Sequence, residues 1–226
     1  NPDLQPREFL HELRRITESH GIALIFDELV NGFRIHPGGA QAHFGVKADI
    51  VTYGKMVGGG MPISIIAGTP RFLDAIDGGD WKFGDDSRPA ATMTFFGGTF
   101  CRHPLSIAAT HACLRFMRDQ GPALQEGMNR RTADLAGRLN AVFRDGGAPF
   151  RVAWFSSQFQ LRHALPAGET FQSLELSGFF FLMMEKGIYT WERRVCFLSI
   201  AHDDADLDRV VEAARRSDLP CFWTRT

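Results

Sequence analysis

Between Arg7 and Ser19 the apolar residues Phe9, Leu10, Leu13 and Ile16 recur at helical spacing, which predicts an amphipathic helix stopped by His20-Gly21. The run Ile22-Ala23-Leu24-Ile25-Phe26 follows without alternation. A strand covered on both faces by helices has that character. It ends in Asp27-Glu28, two carboxylates at a C-terminal strand tip, where α/β sheets place their ligands. After a glycine-rich loop, residues 50–53 read as a second strand leading into Gly54-Lys55 and the run Gly58-Gly59-Gly60. Residues 63–68 read as a third.

Residues 77–91 are dense in Gly, Asp, Pro and Ser, with Trp81 and Phe83 embedded, and are expected to form an ordered loop. The apolar pattern resumes over 94–99, and helices are expected over 105–117 and 125–143. Beyond Gly146-Gly147 the character changes. Residues 150–161 are strand-like, 174–185 helical, 195–199 strand-like, and 203–215 make an amphipathic helix with Leu207, Val210 and Val211 on one face. This pattern predicts part of a large α/β domain over 1–145 and a small α+β domain over 146–226.

The 226 residues, 44% of them hydrophobic, suffice to bury a core. Twenty-five basic against 26 acidic residues give a net charge of -1, which removes any field-scale attraction to nucleic acid or to an anionic membrane. The four cysteines are far apart with no Cys-x-x-Cys pair, arguing against a zinc knuckle or a disulfide framework. No cationic-then-apolar leader opens the chain, and the apolar run 179–184 is far too short to span a bilayer. A reducing cytoplasm is the expected compartment. The chain opens on Asn1-Pro2 and runs directly into a helix pattern, so it is expected to be a piece of something longer.

The candidate chemistry lies at the strand ends. Lys55 follows a strand and precedes flexible glycines, so its amine can project over a cleft while backbone approaches a flat ring. Asp27 ends what reads as a buried strand, where low dielectric would strengthen pairing with a cation. Taken singly, such an Asp is ordinarily a cap or loop residue and such a Lys an ordinary surface residue. The glycines around Lys55 do not make a phosphate-binding P-loop, since Asp49 and Met56 break its pattern. His11-Glu12 does not open a zinc-protease helix, because Arg15 stands where the second His belongs.

The joint pattern says more. Residues 24–34 (Leu-Ile-Phe-Asp-Glu-Leu-Val-Asn-Gly-Phe-Arg), Gly38-Gly39-Ala40-Gln41, Phe44-Gly45-Val46, residues 49–55 (Asp-Ile-Val-Thr-Tyr-Gly-Lys) and Gly58-Gly59-Gly60-Met61-Pro62 together resemble class III aminotransferases dependent on pyridoxal 5'-phosphate (PLP). Within them the chain is most similar to the glutamate-1-semialdehyde aminomutase branch. The resemblance implies the PLP-dependent transferase fold type I, α/β, represented here by the C-terminal part of its large domain and the small domain. It makes Lys55 the Schiff-base lysine and proton shuttle, Asp27 the partner of the pyridine nitrogen, and Leu29 a residue packed on the cofactor ring. Thr99, in Gly98-Thr99-Phe100 followed by His103-Pro104-Leu105, resembles the residue that reaches the phosphate of the neighbouring subunit's cofactor, which implies a homodimer.

Three further blocks, residues 79–87, 94–105 and 189–202, are similar to aminotransferase domains embedded in hybrid polyketide and nonribosomal peptide synthetases. That resemblance implies amination of a 3-oxo acyl chain carried as a thioester on an acyl carrier protein, with an amino acid as donor. Trp81, Trp191, Phe95 and Phe96 then have two readings, ordinary core packing or the lining of an acyl channel. Arg193, Arg194 and His202 have a substrate-carboxylate or carrier-arm reading beside ordinary surface and capping roles. The upstream portion that supplies the family's phosphate loop and ring-stacking aromatic is missing, so an incomplete pocket is expected. A free-standing aminomutase and an inactive, dimer-forming scaffold are the alternatives.

Overall fold

The computed structural model describes residues 6–163, 174–191 and 194–217. Contacts divide the described residues into two compact units, one ending at Leu124 and the other beginning at Gln125.

In the first unit, helix α1 (Arg7–Ser19) precedes strand β1 (Ile25–Asp27). A short helix α2 (Gly39–Phe44) leads to β2 (Ile50–Gly54), a 3-10 turn (Lys55–Gly58) and β3 (Ser64–Gly68). The strands lie in the order β1-β2-β3, with β1 parallel to β2 and β2 antiparallel to β3. Helices α3 (Pro70–Asp77) and α4 (Pro104–Gln120) complete the unit. Two of these elements, α2 and α3, were not legible as helices, because each is too short for a period to repeat.

The sheet corrects one expectation. Leu24 is buried with Val46 and Ala48 against Leu10, Leu13 and Phe26. On the opposite face Ile25 is 58% exposed and Ile66 44% exposed. Among the described residues only one face of the run 22–26 is covered, so an unbroken apolar sequence stood for a two-sided burial that the described residues do not complete. Residues 94–99 carry an apolar pattern but no regular structure, and Phe95 is 92% exposed.

In the second unit, α5 (Ala123–Asp145) packs Leu135, Leu139 and Phe143 into a core with β4 (Phe150–Phe155), β5 (Gln158–His163), α6 (Leu174–Glu185) and α7 (Asp204–Arg215). The Phe143 ring stands edge-on to Phe150 and Phe179, with centroids 5.6 Å and 5.4 Å away. The division between the two units falls in the first turn of α5. Strand β6 (Cys196–Phe197) pairs with β5, closing an antiparallel β4-β5-β6 sheet. The strand-like stretch 150–161 is broken into a hairpin at Ser156, whose φ of 55° supplies the reversal usually left to Gly or Asn.

Candidate active site

Cross-strand register builds this site. Asp27 pairs with Thr52 across the parallel β1–β2 ladder, and the Glu28 amide continues it by donating to the Thr52 carbonyl at 3.0 Å. Asp27 Oδ1 accepts the Leu29 amide at 3.0 Å and the Thr52 hydroxyl at 3.4 Å. Its Oδ2 takes no hydrogen bond from any described residue. Asp27 is exposed, on the same open face as Ile25 and Ile66, so the low-dielectric setting expected for it is not provided by the described residues.

Lys55 stands three residues beyond Thr52, roughly 10 Å further along the strand direction at about 3.3 Å per residue. It opens the 3-10 turn with a φ of 50°, a left-handed conformation that costs a non-glycine residue and that concentrates at functional positions. Its side chain is exposed, and no described residue makes a hydrogen bond or ion pair with its amine. Helix α4 packs against this turn, with the Cys113 thiol donating to the Met56 carbonyl at 3.6 Å.

Leu29 is brought to Lys55 by close packing. A Cβ placed on Gly54 would lie 2.7 Å from Leu29 Cδ2, so the leucine sits directly over the glycine that precedes the lysine. Glu28, which received no role from sequence, is only 2% exposed. Its carboxylate accepts the amides of Ala40 at 2.6 Å and Gln41 at 3.1 Å, at the start of α2. The Gln41 side chain accepts the Ala48 amide at 2.8 Å and donates to the Tyr53 hydroxyl at 3.2 Å. Burial raises the Tyr53 phenol pKa and Glu28's charge adds to it, while the Gln41 hydrogen bond opposes, so the phenol stays protonated at neutral pH. The one sequence signal for this network was Gly38-Gly39 opening a short Ala-rich segment.

Residues 4–146 match the aminotransferase class-III family. This chain belongs to it. It is 32% identical over 221 residues to glutamate-1-semialdehyde 2,1-aminomutase of Archaeoglobus fulgidus, covering 95% of this chain and 50% of that protein. With the same enzyme of Laribacter hongkongensis it shares 34% identity over 217 residues, 92% of this chain and 48% of the other. The crystal structure of an omega-transaminase from Sphaerobacter thermophilus superposes with a TM-score of 0.79 at 26% identity, over 96% of this chain and 48% of that one. The expected fold class, the α/β PLP-transferase fold type I, is thus the fold found. The chain spans about half the length of these relatives.

The other residues assigned from the class-III pattern are placed differently. Gly98 and Thr99 lie in a turn closed by the Cys101 amide on the Gly98 carbonyl at 3.0 Å, just before α4. Thr99 is exposed, and no hydrogen bond among the described residues joins it to Asp27 or Lys55. Of the aromatics given a core reading, Phe95, Phe96 and Trp191 are instead exposed, and Trp81 donates to the Asp77 carbonyl at 2.5 Å within its own loop. Arg194 lies over the Trp191 ring at 5.2 Å, and His202 Nδ1 accepts the Ser199 amide at 3.1 Å, closing the turn that precedes α7. Arg193 lies outside the described residues. No helix among the described residues is long and apolar enough to cross a membrane.

Proposed function

We propose that this chain is the lysine-bearing part of a PLP-dependent aminotransferase. One observation carries the reading: Asp27 and Lys55 stand at the ends of adjacent parallel strands, and Asp27 Oδ2 and the Lys55 amine are both unengaged by described residues. Those two groups fit what PLP requires, an acceptor for a protonated ring nitrogen and a free primary amine. Bound PLP supplies an electron sink for the carbanion left when the carbon bearing the amine loses its proton. Lys55 holds the cofactor through its amine and, once displaced, moves that proton at Nζ as general base and acid. Asp27 orients the ring by its nitrogen, and Leu29, wedged over Gly54, packs on one side of it. Gly98 and Thr99 belong, in this reading, to the phosphate site of a neighbouring subunit in a homodimer.

Ile25 and Ile66 flank Asp27 on an open face, and this supports a requirement for the upstream polypeptide of a longer protein, which would cover that face and exclude water from the acid. Residues 1–145 then belong to the large cofactor-binding domain and 146–226 to the small one, in a cytoplasmic enzyme.

For the substrate we favour a 3-oxo acyl thioester on an acyl carrier protein, aminated at the expense of an amino acid. The support is the block 79–87, held as a local excursion by the Lys82 amide on the Ser87 hydroxyl at 2.8 Å and the Ser87 amide on Asp85 at 2.8 Å. A second reading, transfer of an amino group within one small molecule, is favoured by the names of the two curated relatives.

The cofactor reading is tested by incubating the protein, together with its upstream polypeptide, with PLP, reducing with borohydride and mapping the labelled peptide. Label on Lys55 is expected; label spread over other lysines, or none, would overturn it. Assaying a 3-oxo acyl carrier thioester against glutamate-1-semialdehyde then separates the substrate readings.

A further inference from the structure

Glu28 is a carboxylate buried to 2% exposure, between the residue assigned to the ring nitrogen and the residue assigned to the ring face. Its oxygens accept the Ala40 and Gln41 amides, and its own carbonyl accepts the Gly32 amide at 2.9 Å. One residue thus ties together both ends of the loop that leaves Asp27. Gly39, at a φ of 75°, lies against the carboxylate so tightly that a Cβ there would collide with Glu28 Oε2. From Gln41 the connection runs to the Tyr53 hydroxyl, two residues before Lys55. A Cβ on Gly32 would meet the Tyr53 ring at 2.6 Å, so the same loop is clamped against β2 from its other side.

Burying a carboxylate is expensive unless it is hydrogen-bonded, and here a backbone cradle meets that cost at the edge of the cofactor face. A neutral capping residue would close α2 as well. A charge-assisted acceptor holds the loop more tightly, because its two amide bonds are each stronger than neutral ones.

We propose that Glu28 is a positioning residue of the active site, whose buried carboxylate locks the 28–41 loop and thereby sets Asp27 and Leu29 in register with Lys55. The inference rests on the PLP reading given above, and its test is arranged so that the two fail separately.

Glu28→Gln keeps the shape but turns an N–H2 toward a backbone N–H, so one of the two amides loses its acceptor. Amide hydrogen exchange in this chain, without cofactor, is expected to rise about tenfold at Ala40 and Gln41, the loss of one such bond, and to rise with them at Leu29 and Gly32. Leu10 and Leu13 in α1 serve as the unchanged reference. Gly39→Ala, which crowds the carboxylate out of its cradle while leaving Glu28 in place, is expected to give the same pattern by an independent route. A rise confined to residues 40 and 41 in both variants would make Glu28 a helix cap only, and overturn the inference.

The second readout uses the protein with its upstream polypeptide and PLP. Both variants are expected to shift the pH midpoint of the visible absorbance of PLP captured at Lys55, while capture itself persists. An unmoved midpoint in both overturns the positioning role. Absence of capture in the unsubstituted protein overturns the PLP reading instead, leaving the exchange result to decide on Glu28.

Discussion

The Thr52 hydroxyl donates to Asp27 Oδ1 across the β1–β2 pair at 3.4 Å, so the acid is oriented by the strand that carries Lys55. Both partners of the proposed chemistry therefore depend on one register. Asp27→Asn keeps the shape and the Leu29 amide bond while removing the charge. With the carboxylate exposed, thermal stability should hardly change. Turnover of the enzyme completed by its upstream polypeptide should fall by about 100-fold, the scale on which one electrostatic stabiliser counts. Calorimetry and a transaminase assay on the same preparation check the pair of outcomes.

Lys55 offers a test of stored strain. Replacement by Ala and by Gly should both abolish PLP capture. Because its φ is 50°, the Gly variant should be the more stable of the two by about 1 kcal/mol, read from chemical denaturation. Equal stabilities would show that the left-handed conformation is not held in solution.

Gly54 is extended, with a φ of 177°, so substitution there strains no backbone. Space is the obstacle, since a Cβ would lie 2.7 Å from Leu29 Cδ2 and 2.9 Å from the Ile63 carbonyl oxygen. Gly54→Ala is expected to destabilise the protein by about 1–3 kcal/mol and to weaken PLP binding by displacing Leu29. A titration monitored by PLP absorbance reports the second effect.

In the second unit the Asn140 side chain binds the edge of β4 twice, accepting the Val152 amide at 2.7 Å and donating to the Val152 carbonyl at 3.0 Å. Asn140→Leu leaves both backbone groups without that partner and should cost roughly 2–3 kcal/mol. The fall should appear in denaturant midpoint without a change in the slope.

Asp49 links acid stability to the first unit. Its carboxylate accepts the Leu24 amide and pairs with Arg14, both at 2.8 Å. The Leu24 hydrogen bond first, and Arg14 and Arg71 with it, hold its pKa below the usual carboxylate value. A lowered folded pKa means the stabilisation is present above the unfolded value, near pH 4, and is lost as pH falls through the folded one. Denaturation series from pH 6 to pH 3 should show this loss, and Asp49→Asn should flatten that limb of the curve.

Helices α1, α4, α5, α6 and α7 were legible because their apolar spacing repeats over several turns, while Asp27, Leu29 and Lys55 stood out as candidates because they lie in a motif whose order and intervals are themselves the signal. The partners of α5 were not legible, since a periodic apolar face shows that Leu135, Leu139 and Phe143 are buried but not which elements they meet.

Local chemistry along the chain thus determined which residues were candidates and where most helices run. Tertiary structure alone decided that Asp27 faces open space, that Ser156 reverses a strand, and that Glu28, Gln41 and Tyr53 form one network. Each of these depends on what a residue meets across a ladder or a loop, and a side chain's neighbours in space are set by strand pairing and backbone approach rather than by the residues beside it in sequence.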